Sequence, residues 1–377
     1  MKHIFLVFKI LTNAFAFGQS DSLLRVDGKQ PNIHSIGSGI QHGFIFAHSK
    51  EVQNTKGSHP TGAELIVSWQ RSDAAVWSIC NCLPRKGILL SYFDYDNAIL
   101  GKSVTAAYFL EPTYRLSRNS YFSFKGSAGL SYLTNPFDSI SNPTNKSYST
   151  NLSAYLQVGI GLWLKLSDRW WINASMNYNH ESNGGMKQPN KGINWPTGGL
   201  LVNYMLDPRP FYRGHFTKEK YWLKYPVRWE LAIFGMARRA LESGSSSRFP
   251  LIGMMLLAGK QVGRINALTL STEIYYDEKL RLLLKADSVD ASATKAGLMI
   301  GHEFILGRFL FSQRLGLYYF DQTPYFDQLY HRWGIQYNFR NRFGIGFNMK
   351  AHRQVAEFVD LRFSYVLNNR SSMKFIY

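Results

Sequence analysis

His180 and Ser182 stand two residues apart near the end of the run Trp170 to Ser182, and Asn194 follows fourteen positions after the histidine. An imidazole beside a hydroxyl can take its proton and make the oxygen a nucleophile. An amide oxygen beside the imidazole can hold the ring in the tautomer that leaves its far nitrogen bare. Parity suggests that the three meet. The even positions Trp170, Ile172, Ala174, Met176 and Tyr178 are apolar, whereas Asn173, Ser175, Asn177 and Asn179 are polar. This is the pattern of a strand with one apolar face, and His180 and Ser182 continue the even, apolar set. Asn194 shares its parity with Leu200, Val202, Tyr204 and Leu206, so a hairpin would return it beside His180. Polar groups on an apolar face are costly without partners, and a mutual Ser-His-Asn arrangement supplies them. Glu181 has the opposite parity and is expected to face inward.

The elements that carry these residues are long strands. Leu152, Ala154, Leu156, Val158, Ile160, Leu162 and Leu164 alternate with mostly polar or small residues. Similar alternation runs through Phe122 to Ser131 and Val355 to Tyr365. Strands of soluble proteins run about five or six residues, and these are two to three times longer. After the N-terminus no run of about 18 apolar residues exists to form a spanning helix. The pattern predicts an all-β, transmembrane antiparallel barrel. Sixteen strands are expected, among them 39–49, 74–83, 168–180 and 197–207. Short turns at Ser72-Asp73, Leu116 and Ser167 alternate with long connections at 50–60, 84–100, 132–148 and 181–196. The segment Asp207 to Pro226 breaks that alternation, being long, basic and aromatic. It leaves two closures open: one barrel of about 16 strands, or two eight-strand units. One barrel is favoured, because full closure removes every edge. The expected organisation is a signal peptide (1–18), a first half carrying the site (19–207), a basic aromatic linker (208–226) and a second half of unassigned role (227–377).

The chain has 377 residues, with 43 Lys+Arg against 25 Asp+Glu. Aromatics at 15% and hydrophobics at 45% exclude disorder. A net charge of +18 raises nucleic acid as a partner, but the N-terminus redirects it. Met1-Lys2-His3, an apolar stretch to Phe17 and small residues at Ala14, Ala16 and Gly18 read as a secretory signal. An exported chain meets anionic lipid or polysaccharide instead of nucleic acid. Removal of 1–18 takes away only Lys2 and Lys9, so the basic excess belongs to the remainder. Cys80 and Cys82 on one strand face are expected to be free. No zinc spacing occurs, and no metal or cofactor is called for. His42, His48, His302, His331 and His352 lack a partner at ligand spacing and read as structural or interfacial.

The runs His180-Glu181-Ser182-Asn183-Gly184 and Lys187-Gln188-Pro189-Asn190-Lys191-Gly192-Ile193-Asn194 carry a resemblance. They are similar to the lipid A 3-O-deacylase (PagL-type, acyloxyacyl hydrolase-like) family of outer-membrane hydrolases. The resemblance implies that His180 is the base and Ser182 the nucleophile. It implies backbone amides at Asn183 and Gly185, with Gly184 between them, as oxyanion donors. Asn194 stands where the family normally has Glu. The same residues resemble outer-membrane phospholipase A, which has His-x-Ser-Asn-Gly and an Asn at this spacing. The match is specific over 178–198 and looser over 39–207, and implies nothing for 227–377. The expected protein is an outer-membrane serine esterase that removes an ester-linked acyl chain from lipid A of lipopolysaccharide. Its expected partners are lipopolysaccharide and membrane lipids. Lys187 and Lys191 would either pair with lipid A phosphates or be solvated loop charges. The alternatives are a phospholipase A and a non-enzymatic barrel, such as a pore, with a vestigial site.

Overall fold

A computed structural model describes residues 32–368 except 213–219, 240–246, 324, 326, 340–341 and 354. The expected signal segment lies outside the described residues. The first eight strands are β1 (Ile33–Gly43), β2 (Thr61–Gln70), β3 (Leu83–Asp94), β4 (Lys102–Arg115), β5 (Ser120–Leu133), β6 (Leu152–Lys165), β7 (Trp170–Ser182) and β8 (Ile193–Met205). They form a closed antiparallel barrel, in which β8 pairs back onto β1 from Ser35↔Met205 to Gly43↔Thr197. Eight more follow: β9 (Arg228–Arg239), β10 (Arg248–Gln261), β11 (Asn266–Asp277), β12 (Thr294–Leu306), β13 (Phe309–Phe320), β14 (Leu329–Asn338), β15 (Phe343–His352) and β16 (Val355–Val366). These close separately, through β16 pairing with β9.

The favoured single barrel is therefore corrected to its alternative, two eight-strand barrels. Closure is satisfied twice, because eight strands enclose an interior just wide enough for side chains to fill. The segment 206–227 joins the two.

The walls are inverted relative to a soluble protein. Ile40, Leu65, Val104, Val158, Met176 and Leu200 are exposed on the first barrel, and Ile233, Ile252, Leu268, Ile300 and Phe347 on the second. The interiors hold the polar residues. Such an outward apolar band belongs in a bilayer, and no helix among the described residues is long and apolar enough to cross one.

The two interiors are filled differently. In the first, hydroxyl, amide and aromatic groups dominate: Ser127 Oγ donates to Gln157 Oε1 at 2.9 Å, and Tyr155 Oη to Asn179 Oδ1 at 2.9 Å. Glu181 faces this lumen, as its parity predicts, and accepts from Ser131 Oγ and Tyr95 Oη. In the second, fully buried ion pairs dominate. Arg332 meets Asp360 at 2.6 Å and Glu273 at 2.7 Å, and Lys350 meets Glu273 at 3.2 Å. Arg228 and Arg314 share Glu303, each at 2.6 Å.

The turn between β2 and β3 departs from expectation. The sequence pattern predicts a strand over 74–83 and a loop over 84–100. Instead Ala74–Cys80 is a helix, α1, and β3 starts at Leu83. Asp73 causes the difference, because its carboxylate accepts from Val76 N at 2.9 Å and caps the first turn. The same helix overturns the free cysteines. Asn81 leaves α1 in the left-handed conformation (φ 52°), bringing the Cα atoms of Cys80 and Cys82 to 5.0 Å, and the two form a disulfide. An extended strand would have held them about 6.7 Å apart, near the limit for a bridge.

Candidate active site

The site lies at one end of the β7–β8 hairpin, on the outer wall of the first barrel. The antiparallel register puts His180 directly opposite Asn194, and Leu156 of β6 opposite His180 on its other side. Directly opposed residues bring their Cβ atoms within about 5.5 Å. Ser182 is two residues along the same strand and so shares the face of His180. The side chains meet accordingly. His180 Nδ1 is 2.7 Å from Asn194 Oδ1, and His180 Nε2 is 3.0 Å from Ser182 Oγ. All three are half-buried, among the exposed apolar side chains of Leu156, Tyr178, Phe44 and Phe46.

The loop 183–192 is held against the loop 134–151. Lys191 N donates to Lys146 O at 3.0 Å and Gly192 N to Ser147 O at 2.7 Å. Ser149 Oγ donates to Lys187 O at 2.9 Å, and Asn183 Nδ2 to the same oxygen at 2.8 Å. Gly184 and Gly185 take positive φ (63° and 82°), a conformation in which glycine carries no steric cost.

The expected oxyanion donors are not equivalent. Asn183 N donates to Asn190 Oδ1 at 3.0 Å, and Gly185 N to Asn183 Oδ1 at 3.0 Å. The Gly184 N–H has no partner among the described residues. The two lysines also differ. Lys187 is exposed, whereas Lys191 Nζ pairs with Glu51 Oε1 at 2.9 Å. That contact holds the exposed Glu51 carboxyl at about 2, well below its ordinary value.

Sequence reasoning gave two residues here no role at the site. Gly192 sits at φ 79°, and a Cβ on it would lie 2.7 Å from His180 Cε1. The close approach of the loop to the imidazole requires glycine. The second is His48, read from sequence as having no partner. Its Nδ1 lies 2.9 Å from Asn194 Nδ2. The closing of β8 onto β1 carries the chain after Gly43 along β8, with Phe46 N donating to Asn194 O at 2.8 Å. His331 and His302 bond locally, to Arg353 O and Asn266 Oδ1. No group of three or more His, Cys, Asp or Glu among the described residues is arranged to hold a metal ion.

The second barrel offers a contrast at the corresponding hairpin. His352, near the end of β15, is buried and faces Glu357 Oε2 at 3.2 Å. Its ring stacks near Tyr318, with centroids 5.9 Å apart, so this histidine is part of the interior rather than of an outer-wall site.

Among solved structures, the chain is similar to the N-terminal β-barrel domain of Pseudomonas aeruginosa OprF. The identity is 12% and the TM-score 0.26, over 46% of this chain and 99% of that one. It is also similar to the Pseudomonas putida toluene transporter TodX, at 9% identity and TM-score 0.18 over 95% and 94% of the two chains. A Rh. blastica porin mutant matches at 7% identity and TM-score 0.18, over 89% and 99%. None of these scores is high enough to bear on function. No curated protein matches the chain. The family models are more informative. Residues 84–202, which include His180, Ser182 and Asn194, match lipid A 3-O-deacylase (PagL). Residues 227–369, for which the sequence motifs implied nothing, match the acyloxyacyl hydrolase C-terminal domain. The two models together span most of the chain, and the protein therefore belongs to the lipid A 3-O-deacylase and acyloxyacyl hydrolase family, as a β-barrel hydrolase of the outer membrane.

Proposed function

We propose that the first barrel is a serine esterase that removes an ester-linked acyl chain from lipid A of lipopolysaccharide. The observation that carries this reading is the bonded run Ser182–His180–Asn194 on the bilayer-facing wall. Ser182 Oγ attacks the ester carbonyl as His180 Nε2 takes its proton. Collapse of the tetrahedral intermediate expels the sugar or acyl alkoxide, which receives that proton from His180. Water then attacks the acyl-serine, again giving its proton to His180. The fatty acid leaves, and Ser182 recovers its proton. Asn194 Oδ1 accepts from His180 Nδ1–H and orients the ring. It cannot offset the imidazolium charge as a carboxylate would. The Gly184 N–H is the available donor to the oxyanion, and an amide already engaged, such as that of Asn183, would have to leave its present acceptor.

The apolar surroundings favour an acyl chain lying in the membrane. The exposed side chains of Phe44, Phe46, Leu156 and Tyr178 flank the site, so a chain of the outer leaflet reaches it without leaving hydrocarbon. Lys187 beside the site suits an anionic headgroup, whereas Lys191 is already engaged by Glu51. We assign catalysis to the region 19–207 and leave the region 227–377 without a catalytic role.

The test is incubation of the full-length protein with purified lipopolysaccharide, followed by mass spectrometry of lipid A. Wild type should release one class of ester-linked acyl chain, and Ser182→Ala should release none. Equal release by both would end this reading. Asn194 also fits the phospholipase pattern. Release from phospholipid vesicles but not from lipopolysaccharide would move the assignment there.

A further inference from the structure

We infer that His48, in the outer loop between β1 and β2, is a positioning residue that fixes the direction of the Asn194 amide and thereby the tautomer of His180. The inference rests on the Ser182–His180–Asn194 reading above and deepens it.

A carboxylate as third member has two equivalent acceptors. It holds an imidazole Nδ1–H whichever way it is turned. An amide is not symmetric: one side accepts and the other donates. Asn194 therefore has two self-consistent arrangements with its neighbours. In the first, His48 Nδ1 is bare and accepts from Asn194 Nδ2–H, Asn194 Oδ1 accepts from His180 Nδ1–H, and His180 Nε2 is bare toward Ser182. In the second, His48 Nδ1–H donates to Asn194 Oδ1 and Asn194 Nδ2–H donates to His180 Nδ1. His180 then carries its proton on Nε2 and points it at Ser182, which leaves no base. The wrong tautomer at such a histidine costs on the order of 10^4-fold in rate. The group that selects between the two arrangements is the one beyond the asparagine. That group is His48, with Nδ1 2.9 Å from Asn194 Nδ2.

The loop holds His48 for this task. Phe44 N donates to Pro196 O at 3.3 Å and Phe46 N to Asn194 O at 2.8 Å, extending the β1–β8 pairing toward the site. Gln53 Nε2 then donates to Ala47 O and Ser49 O, each at 3.0 Å. The carbonyls on both sides of His48 are thus tied to one side chain. The need for such a residue follows from the chemistry of this chain, in which an amide occupies the place of a carboxylate.

The experiment measures two quantities on the full-length protein in detergent micelles: the rate at which a fluorophosphonate labels Ser182, and kcat and KM for acyl release. His48→Leu and His48→Asn are compared in the native background and with Asn194→Asp. Asparagine at 48 offers an amide oxygen at the position of Nδ1. His48→Leu should slow labelling and lower kcat by roughly 10- to 100-fold with KM little changed, and His48→Asn should recover most of the loss. With Asn194→Asp, which has no direction to set, His48→Leu should cost less than about 3-fold. The same penalty in both backgrounds, with no recovery by asparagine, would mean that His48 only packs the loop, and would overturn the inference. If Asn194→Asp is not labelled at all, the native-background pair decides alone: recovery by asparagine supports the role and its absence overturns it. If wild-type Ser182 is not labelled, the underlying triad reading fails first, and the role of His48 falls with it.

Discussion

The two barrels share strand number, closure and an apolar exterior, yet they differ in what their walls and interiors hold. The first keeps mostly neutral hydrogen-bonding groups inside and places a bonded histidine, serine and asparagine outside. The second keeps buried ion pairs inside, and its hairpin histidine, His352, is turned inward onto Glu357. One residue of parity separates these outcomes, because a strand side chain faces the lumen or the lipid according to odd or even position. His180 has the parity of Tyr178 and Met176, on the lipid side. His352 has the parity of Lys350 and Asn348, on the lumen side. A single step of parity along a strand therefore decides whether a hairpin histidine faces the bilayer or the lumen.

Six substitutions, taken in four comparisons, would break or sharpen that contrast. The largest effect is expected from Ser182→Ala, which should lower the rate of acyl release by on the order of 10^4-fold or more, while His352→Gln in the second barrel leaves kcat unchanged. Steady-state release from lipopolysaccharide measures both. Next, Glu273→Ala strips two buried cations, Arg332 and Lys350, of their shared carboxylate. It should destabilise the second barrel by about 3–5 kcal/mol. Ser127→Ala in the first barrel removes a neutral bond to Gln157 and should cost only about 0.5–1.5 kcal/mol. Urea unfolding in micelles separates the two, and folded Glu273→Ala protein should retain its activity per molecule. Third, Gly192→Ala puts a Cβ against the His180 ring and into a left-handed backbone. A displacement of about 1 Å costs roughly 10^2-fold, and this variant should lose activity to that extent while staying folded by heat-modifiability on gels.

The smallest effect concerns Lys191. Its pairing depresses the Glu51 carboxyl to about 2. The stabilising contribution is therefore present above the unfolded value and is lost as pH falls through about 2. Carboxylate NMR of Lys191→Ala should find Glu51 titrating closer to its ordinary range, with almost no change in unfolding midpoint, because the pair is exposed. An unchanged Glu51 titration would show that Lys191 is free to meet substrate phosphate after all.

The sequence carried much of this site because strand parity and hairpin register are local. His180, Ser182 and Asn194 fall on one face by counting residues along two neighbouring strands. Closure is not local, and the alternation along each strand is the same in one barrel of sixteen strands as in two of eight. In a single sixteen-strand barrel, β8 would have β9 as its neighbour and His48 would lie far from Asn194. With eight strands, β8 returns to β1, and the residues after Gly43 run beside Asn194. The strand number at closure thus also decides whether His48 meets Asn194. The helix at Ala74–Cys80 was hidden for another reason. Its seven residues are too few for a helical period to show against a background of alternation, and only the cap at Asp73 marked it. The disulfide followed from that helix and was lost with it.

The assignment of catalysis to the outer wall of the first barrel is tested most directly by locating the reactive serine. The intact protein would be treated with a fluorophosphonate and its peptides mapped by mass spectrometry. A single adduct on Ser182, absent from His180→Ala, is the expected result. An adduct on a serine of the second barrel, or acyl release that continues with Ser182 unlabelled, would contradict it.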